Sequence, residues 1–166
     1  LGLNAEEIRL ILRHGPWPAP WRNDVSNRAS GHAEAITLGE LLFFEPRLSG
    51  TGTVSCATCH VPEKNWTDNR TLGAAIAEVD RNTPSLVNVR YHRWFGWDGG
   101  SDSLWNFALR PMLHPDELAS SAAHIARRPL PPGRPAPAGP LPVLPAGSSR
   151  LMTLTCFIGS RLAQVG

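Results

Sequence analysis

The chain has 166 residues, enough for one domain of ordinary size, and 42% of them are hydrophobic, diluted by 16 prolines and 15 glycines. A formal charge of +2 argues for no polyanionic partner such as a nucleic acid, and no stretch approaches the ~20 apolar residues of a membrane span. The charge is uneven: no acid follows Glu117, so residues 118–166 carry five arginines, while residues 1–117 hold 11 basic and 14 acidic groups, a balance of −3.

The chain starts at Leu1 rather than Met, with no basic start and no apolar h-region, so it reads as a mature form or a fragment. Ile8, Leu10 and Ile11 among Glu6, Glu7, Arg9 and Arg13 predict a short helix over Ala5–Arg13, capped by Asn4. Pro16, Pro18 and Pro20 stop it, and Trp17 and Trp21 are expected to cover part of a core. Ile36, Leu38, Leu41, Leu42 and Phe44 predict a second helix from Ala33 to Phe44, ended by Pro46. Ser49 to Thr53 is a Gly-rich turn.

The turn leads into Cys56-Ala57-Thr58-Cys59-His60, a Cys-x-x-Cys-His run and the attachment signature of a c-type haem. Each thiol can form a thioether to one vinyl group of the porphyrin. The spacer sets the sulfurs about one helical turn apart, so a short helix is expected. His60 is then carried beneath the ring, as proximal iron ligand. Two other uses of the motif compete. A redox dithiol wants a βαβ setting, and none is visible; structural zinc wants a second ligand pair, and the remaining cysteine, Cys156, has none beside it. A disulfide between neighbours so close is geometrically poor.

Residues 61–85 read as a long loop, after which Ser85–Val89 is expected to start a helix. Trp94 to Gly100 is an aromatic, Gly-rich turn. Asp102 or Ser103 caps a helix holding Leu104, Trp105, Phe107 and Leu109, which Pro111 stops. Eight of the 16 prolines fall in residues 129–145, a spacing that predicts irregular, polyproline-like coil. The expected fold is therefore mostly α: a cytochrome c-like haem domain with long loops over residues 1–126, then a Pro/Arg-rich tail over 127–166. The abrupt loss of acids and gain of proline make that tail read as a foreign or out-of-frame ending.

Several stretches together resemble the N-terminal half of bacterial di-haem cytochrome c peroxidases, whose superfamily includes the enzymes that modify methylamine dehydrogenase. They are Leu38 to Gly50, the haem motif, Asp80 to Val89, Phe95 to Gly99, and Leu109 to Leu118. The resemblance implies covalently bound haem c on Cys56 and Cys59, with His60 as proximal ligand of a peroxidatic haem. It implies that hydrogen peroxide is reduced to water with electrons from a small cytochrome c or copper protein. It matches Glu117 to the acid near the distal face, Trp97 to the tryptophan between the two haems, and Asn82 to a residue that helps hold calcium. One oxygen from Asn82 is far short of the six to eight that calcium takes. Covalent haem attachment is completed outside the cytoplasm, which implies a periplasmic address.

The departures are as informative. No second Cys-x-x-Cys-His follows, so the sequence reads as a truncated member expected to lack the second haem domain. Residues 61–91 contain no histidine for a removable sixth ligand, and Phe107 stands where many members have glutamine. His32, His92, His114, Met112 and Met152 remain as candidate sixth ligands; an axial Met112 would make a mono-haem electron carrier instead of an enzyme. Arg47, Arg81 and Arg93 are candidate partners for the haem propionates. A non-functional fragment is the third reading.

Overall fold

Every regular element is short, and the chain is held together mainly by turns. The computed structural model describes residues 2–15 and 23–127. Helix α1, Ala5–Leu12, opens with a capping box: Glu7 N–H donates to Asn4 Oδ1 at 2.9 Å, and Asn4 N–H donates to Glu7 Oε2 at 2.8 Å. It buries none of its residues. Trp17, Trp21 and the proline-rich tail lie outside the described residues.

Helix α2, Ala33–Phe43, is the longest element and the spine of the core. Ala35, Leu38, Leu42 and Phe43 return to one face at helical spacing and are almost wholly enclosed. Their partners come from the rest of the described chain: Leu48, Val54, Leu86, Val89, Phe95, Leu104, Ala108, Met112, Leu118 and Ile125. We expect Leu42→Ala to cost the folded chain about 2–5 kcal/mol, because the methyl groups it removes leave a cavity among fixed neighbours. Urea unfolding followed by tryptophan fluorescence measures this; an unchanged midpoint would contradict the packing.

A 3₁₀ turn at Pro46–Leu48 follows, its first position taken by a proline that needs no N–H partner there. Glu45 caps it and grips Arg47 with both carboxylate oxygens, at 2.7 and 2.8 Å. Helix α3, Cys56–Cys59, carries the motif, and His60 N–H extends its turn by donating to Cys56 O at 3.0 Å. Helices α4, Leu104–Phe107, and α5, Leu109–Leu113, are joined at Ala108, and α6, Ala122–Arg127, ends the described chain.

Two sequence expectations are corrected here. Pro111 does not stop a helix. It is the third residue of α5, within the first turn, where a missing N–H costs little. Ser85–Val89 starts no α-helix either: Asn88 takes a left-handed conformation and caps a 3₁₀ turn at Val89–Tyr91. Among the described residues there is no extended strand, only isolated bridges such as Phe95–Ser101.

One close approach ties the two halves together. Gly50 N–H donates to Leu118 O at 2.8 Å, and a side chain at position 50 would collide with the Ala119 carbonyl. Glycine is therefore needed at this point for its lack of bulk.

Candidate functional site

Helix α3 forms one wall of an apolar cavity of about 610 Å3, with Phe43, Leu86, Val89, Phe95, Leu104 and Leu118 among the other lining residues. Cys56, Cys59 and His60 all line it. Beside it lies a polar cleft of about 840 Å3, bordered by Arg81, Asp98, Arg110, His114 and Asp116. His60, Asn82, Trp97, Phe107 and Glu117 border both spaces. Each volume is within the ~300–1,000 Å3 usual for organic ligands.

The two thiols are free and half-buried. Burial pushes the Cys56 thiol up to about 12. Burial, with the nearby Asp68 and Glu117 carboxylates, pushes Cys59 up to about 11. Redox-active Cys-x-x-Cys pairs do the opposite, holding a thiol well below its ordinary value. The surroundings of α3 therefore favour neutral thiols and give no support to dithiol exchange. Among the described residues no three His, Cys, Asp or Glu side chains gather as a metal cluster.

The His60 ring is oriented by the backbone. Its Nδ1 lies 3.0 Å from Trp66 O, and a carbonyl only accepts, so Nδ1 carries the proton and Nε2 keeps its lone pair. Burial lowers the pKa of the ring, which keeps it neutral. Trp66 has a φ of 59°, rare for a bulky residue, and its N–H donates to Val61 O at 2.9 Å. Its ring packs edge-on against Phe43 with centroids 5.6 Å apart. That left-handed turn aims the carbonyl at His60, the hydrogen bond that usually orients a ligating imidazole.

These residues fit a haem. The cavity offers an apolar slot for the macrocycle, two thiols on one wall, and a neutral imidazole with a free nitrogen. Cationic side chains that could pair with the haem propionates border these spaces. Arg81 borders the cleft, as expected, and Arg70 borders the apolar cavity, which the sequence did not single out. Arg47 is engaged by Glu45, and Arg93 stacks on Trp94 with its guanidinium 5.5 Å from the ring centre. Neither borders the cavity or the cleft.

The sixth-ligand candidates separate in the same way. Met112 is buried in the core, and His32 precedes α2; neither borders the cavity or the cleft. His92 lines the cavity and His114 the cleft, while Met152 lies outside the described residues. Phe107 borders both spaces, so the position often held by glutamine in the resembled family supplies no polar group here.

Glu117 sits in the turn after α5, not at a helix N-terminus. Burial raises its carboxyl above the ordinary 4.5, opposed by His114 and Arg110 and assisted by Asp116. Trp97 is 60% exposed, and its Nε1 donates to Asn82 O at 3.0 Å. Arg110 is held by Asp98 at 2.9 Å.

A family model described as di-haem cytochrome c peroxidase matches residues 33–129. Methylamine utilization protein MauG of Methylorubrum extorquens is 42% identical over 97 residues, 57% of this chain and 28% of that protein. Cytochrome c551 peroxidase of Nitrosomonas europaea is 36% identical over 92 residues, 54% of this chain and 28% of that protein. A crystal structure of a MauG-like protein associated with microbial copper homeostasis superposes with a TM-score of 0.66 at 26% identity, covering 90% of this chain and 46% of that one. The chain thus spans under a third of these two curated relatives. The family model covers well over half of the 166 residues, including the motif, α2 and the Glu117 turn, and the chain belongs to the di-haem cytochrome c peroxidase family.

Proposed function

We propose that this chain is a peroxidatic haem domain, carrying haem c on Cys56 and Cys59 with His60 Nε2 as proximal ligand. The observation that carries this is His60 itself: buried, neutral, its Nδ1 spent on Trp66 O, beside two thiols on a cavity wall. Residues 1–126 form that domain and 127–166 a separate ending of foreign character. The electron donor is a small cytochrome c or copper protein, and the address is periplasmic.

When bound, haem c supplies the redox iron at which peroxide is cleaved. The protein's own contribution is proton control. Glu117 accepts a proton from one peroxide oxygen and returns it to the other, so that water leaves. Its raised carboxyl suits that exchange, since it takes up a proton more readily, and holds it to higher pH, than an ordinary carboxylate. Phe107 borders the same space and supplies no acid–base group of its own. Trp97 borders the cavity and is largely exposed, which supports its reading as an oxidisable indole between the haem and an electron source.

The decisive experiment is co-expression of the full chain with a cytochrome c maturation system, followed by a haem-stained denaturing gel and a visible spectrum. We expect a haem band that survives denaturation and acid-acetone extraction. Colourless protein, or pigment that extracts, would reject the proposal. An electron carrier, the alternative, would show a tight six-coordinate spectrum and no reaction with peroxide.

A further inference from the structure

Glu117 borders both the apolar cavity and the polar cleft, whereas His114 borders the cleft alone. The carboxylate stands on the shared border of the apolar cavity and the polar cleft, and the imidazole stands on the cleft side. His114 Nδ1 lies 4.0 Å from Glu117 Oε1, with the two side chains 48% and 34% exposed. The turn sets this separation: Glu117 N–H and Ala119 N–H both donate to His114 O, at 3.2 and 2.8 Å.

Nδ1 of His114 faces two partners. Asp116 N–H approaches it at 3.3 Å, which suits an unprotonated Nδ1. Glu117 Oε1, 4.0 Å from the same nitrogen, lies beyond direct hydrogen-bond distance, so a proton passing between them needs one bridging water. Nε2 has no partner among the described residues, on a ring that is half exposed. The other charged groups nearby are less suited to moving protons. Arg110 is held by Asp98, Asp116 is exposed on the same turn, and Glu78, Asp80 and Arg81 border the cleft elsewhere. Of these side-chain types only histidine ordinarily changes charge between about pH 5 and 8.

We infer that His114 is a proton relay that reloads Glu117 from solvent, a positioning residue that acts through Glu117 and does not touch peroxide. This rests on Glu117 being the acid–base group proposed above. Reducing one H2O2 to two waters consumes two electrons, from the donor redox protein, and two protons, from solvent. Shuttling the peroxide's own proton supplies neither of these, so each must cross the cleft. A solvent proton adds at Nε2, and the Nδ1 proton passes through one bridging water to Glu117 Oε1. The ring is left neutral with its proton on Nε2, the tautomer that accepts Asp116 N–H. Exchange with water at the exposed ring then restores the Nδ1–H form.

The test uses the haem-loaded full chain as wild type, H114Q, H114G and E117Q. His114 is half exposed, so neither replacement empties a core site. The infrared band of the protonated Glu117 carboxyl is identified by its loss in E117Q. We expect it to persist to higher pH in H114Q than in wild type, because the His114 ring lowers the Glu117 carboxyl. Peroxide turnover with a small chemical electron donor at neutral pH should fall about 10-fold in H114Q and H114G, the scale of losing a supporting hydrogen-bond partner. Free imidazole should restore H114G. Wild-type turnover and an unshifted Glu117 band in H114Q, with E117Q slow, would overturn the relay and leave Glu117 standing. Lost turnover that imidazole fails to restore, with the Glu117 band unshifted, assigns His114 a structural role and also overturns it. If E117Q matches wild type, the Glu117 assignment falls and the relay with it.

Discussion

A chain with both Cys56→Ala and Cys59→Ala, co-expressed with the maturation system, is expected to show no haem band on a denaturing gel. The effect is all-or-none if, as proposed, the two thioethers are the covalent bonds to the porphyrin; His60 alone would leave an exchangeable ligand. The consequence extends to stability. Cys56 and Ala57 pack against the buried cluster, and Phe43, Leu86, Val89, Phe95 and Leu104 face the cavity as well as the core. Without the macrocycle those side chains lose the surface they would otherwise bury, at about 25 cal/mol per Å2. The double variant should therefore unfold at lower urea than the haem-loaded chain, and tryptophan fluorescence measures it. Equal midpoints would show that the cavity closes on itself.

Glu117→Gln is expected to slow the reaction with peroxide at least 100-fold, within the range of about 10²–10⁴ for a positioned acid–base group, while the haem spectrum stays nearly unchanged. The pH dependence has a definite sign. The carboxyl is raised above 4.5, so the base form that takes the first proton is lost at a higher pH than for an ordinary carboxylate. Wild-type rates in stopped-flow mixing should fall on acidification with a midpoint above 4.5, and the glutamine variant should lack that limb. Rates equal to wild type would remove Glu117 from the mechanism. Stability moves the other way. A carboxyl raised by folding binds its proton more tightly in the native state, so ionisation costs stability as pH climbs through the unfolded and then the folded pKa. At neutral pH the glutamine variant should melt no lower than wild type, which separates the chemical role from a structural one.

The motif was legible because its spacing is covalent chemistry: two thiols and an imidazole within five residues admit few uses. Helix α1, with Asn4 and Glu7 in a reciprocal cap, and α2, with its 3.6-residue stripe, were legible for the same local reason. What stayed hidden depends on contacts far apart in sequence. Trp66 gives no sequence sign of a left-handed backbone, because packing against Phe43 imposes it. Met112 could be a ligand or a core residue from sequence alone; burial away from the cavity decides. Arg70 sits in an unpatterned loop and gains meaning only where that loop folds back over the motif.

Gly50 and Ala119 meet backbone to backbone, two residues beyond Glu117 on one side and six before Cys56 on the other. The contact makes the hinge between the two walls stiff without any side chain. A random-mutagenesis screen for lost peroxide resistance would then score position 50 as harshly as the acid itself, although nothing at that position meets the oxidant.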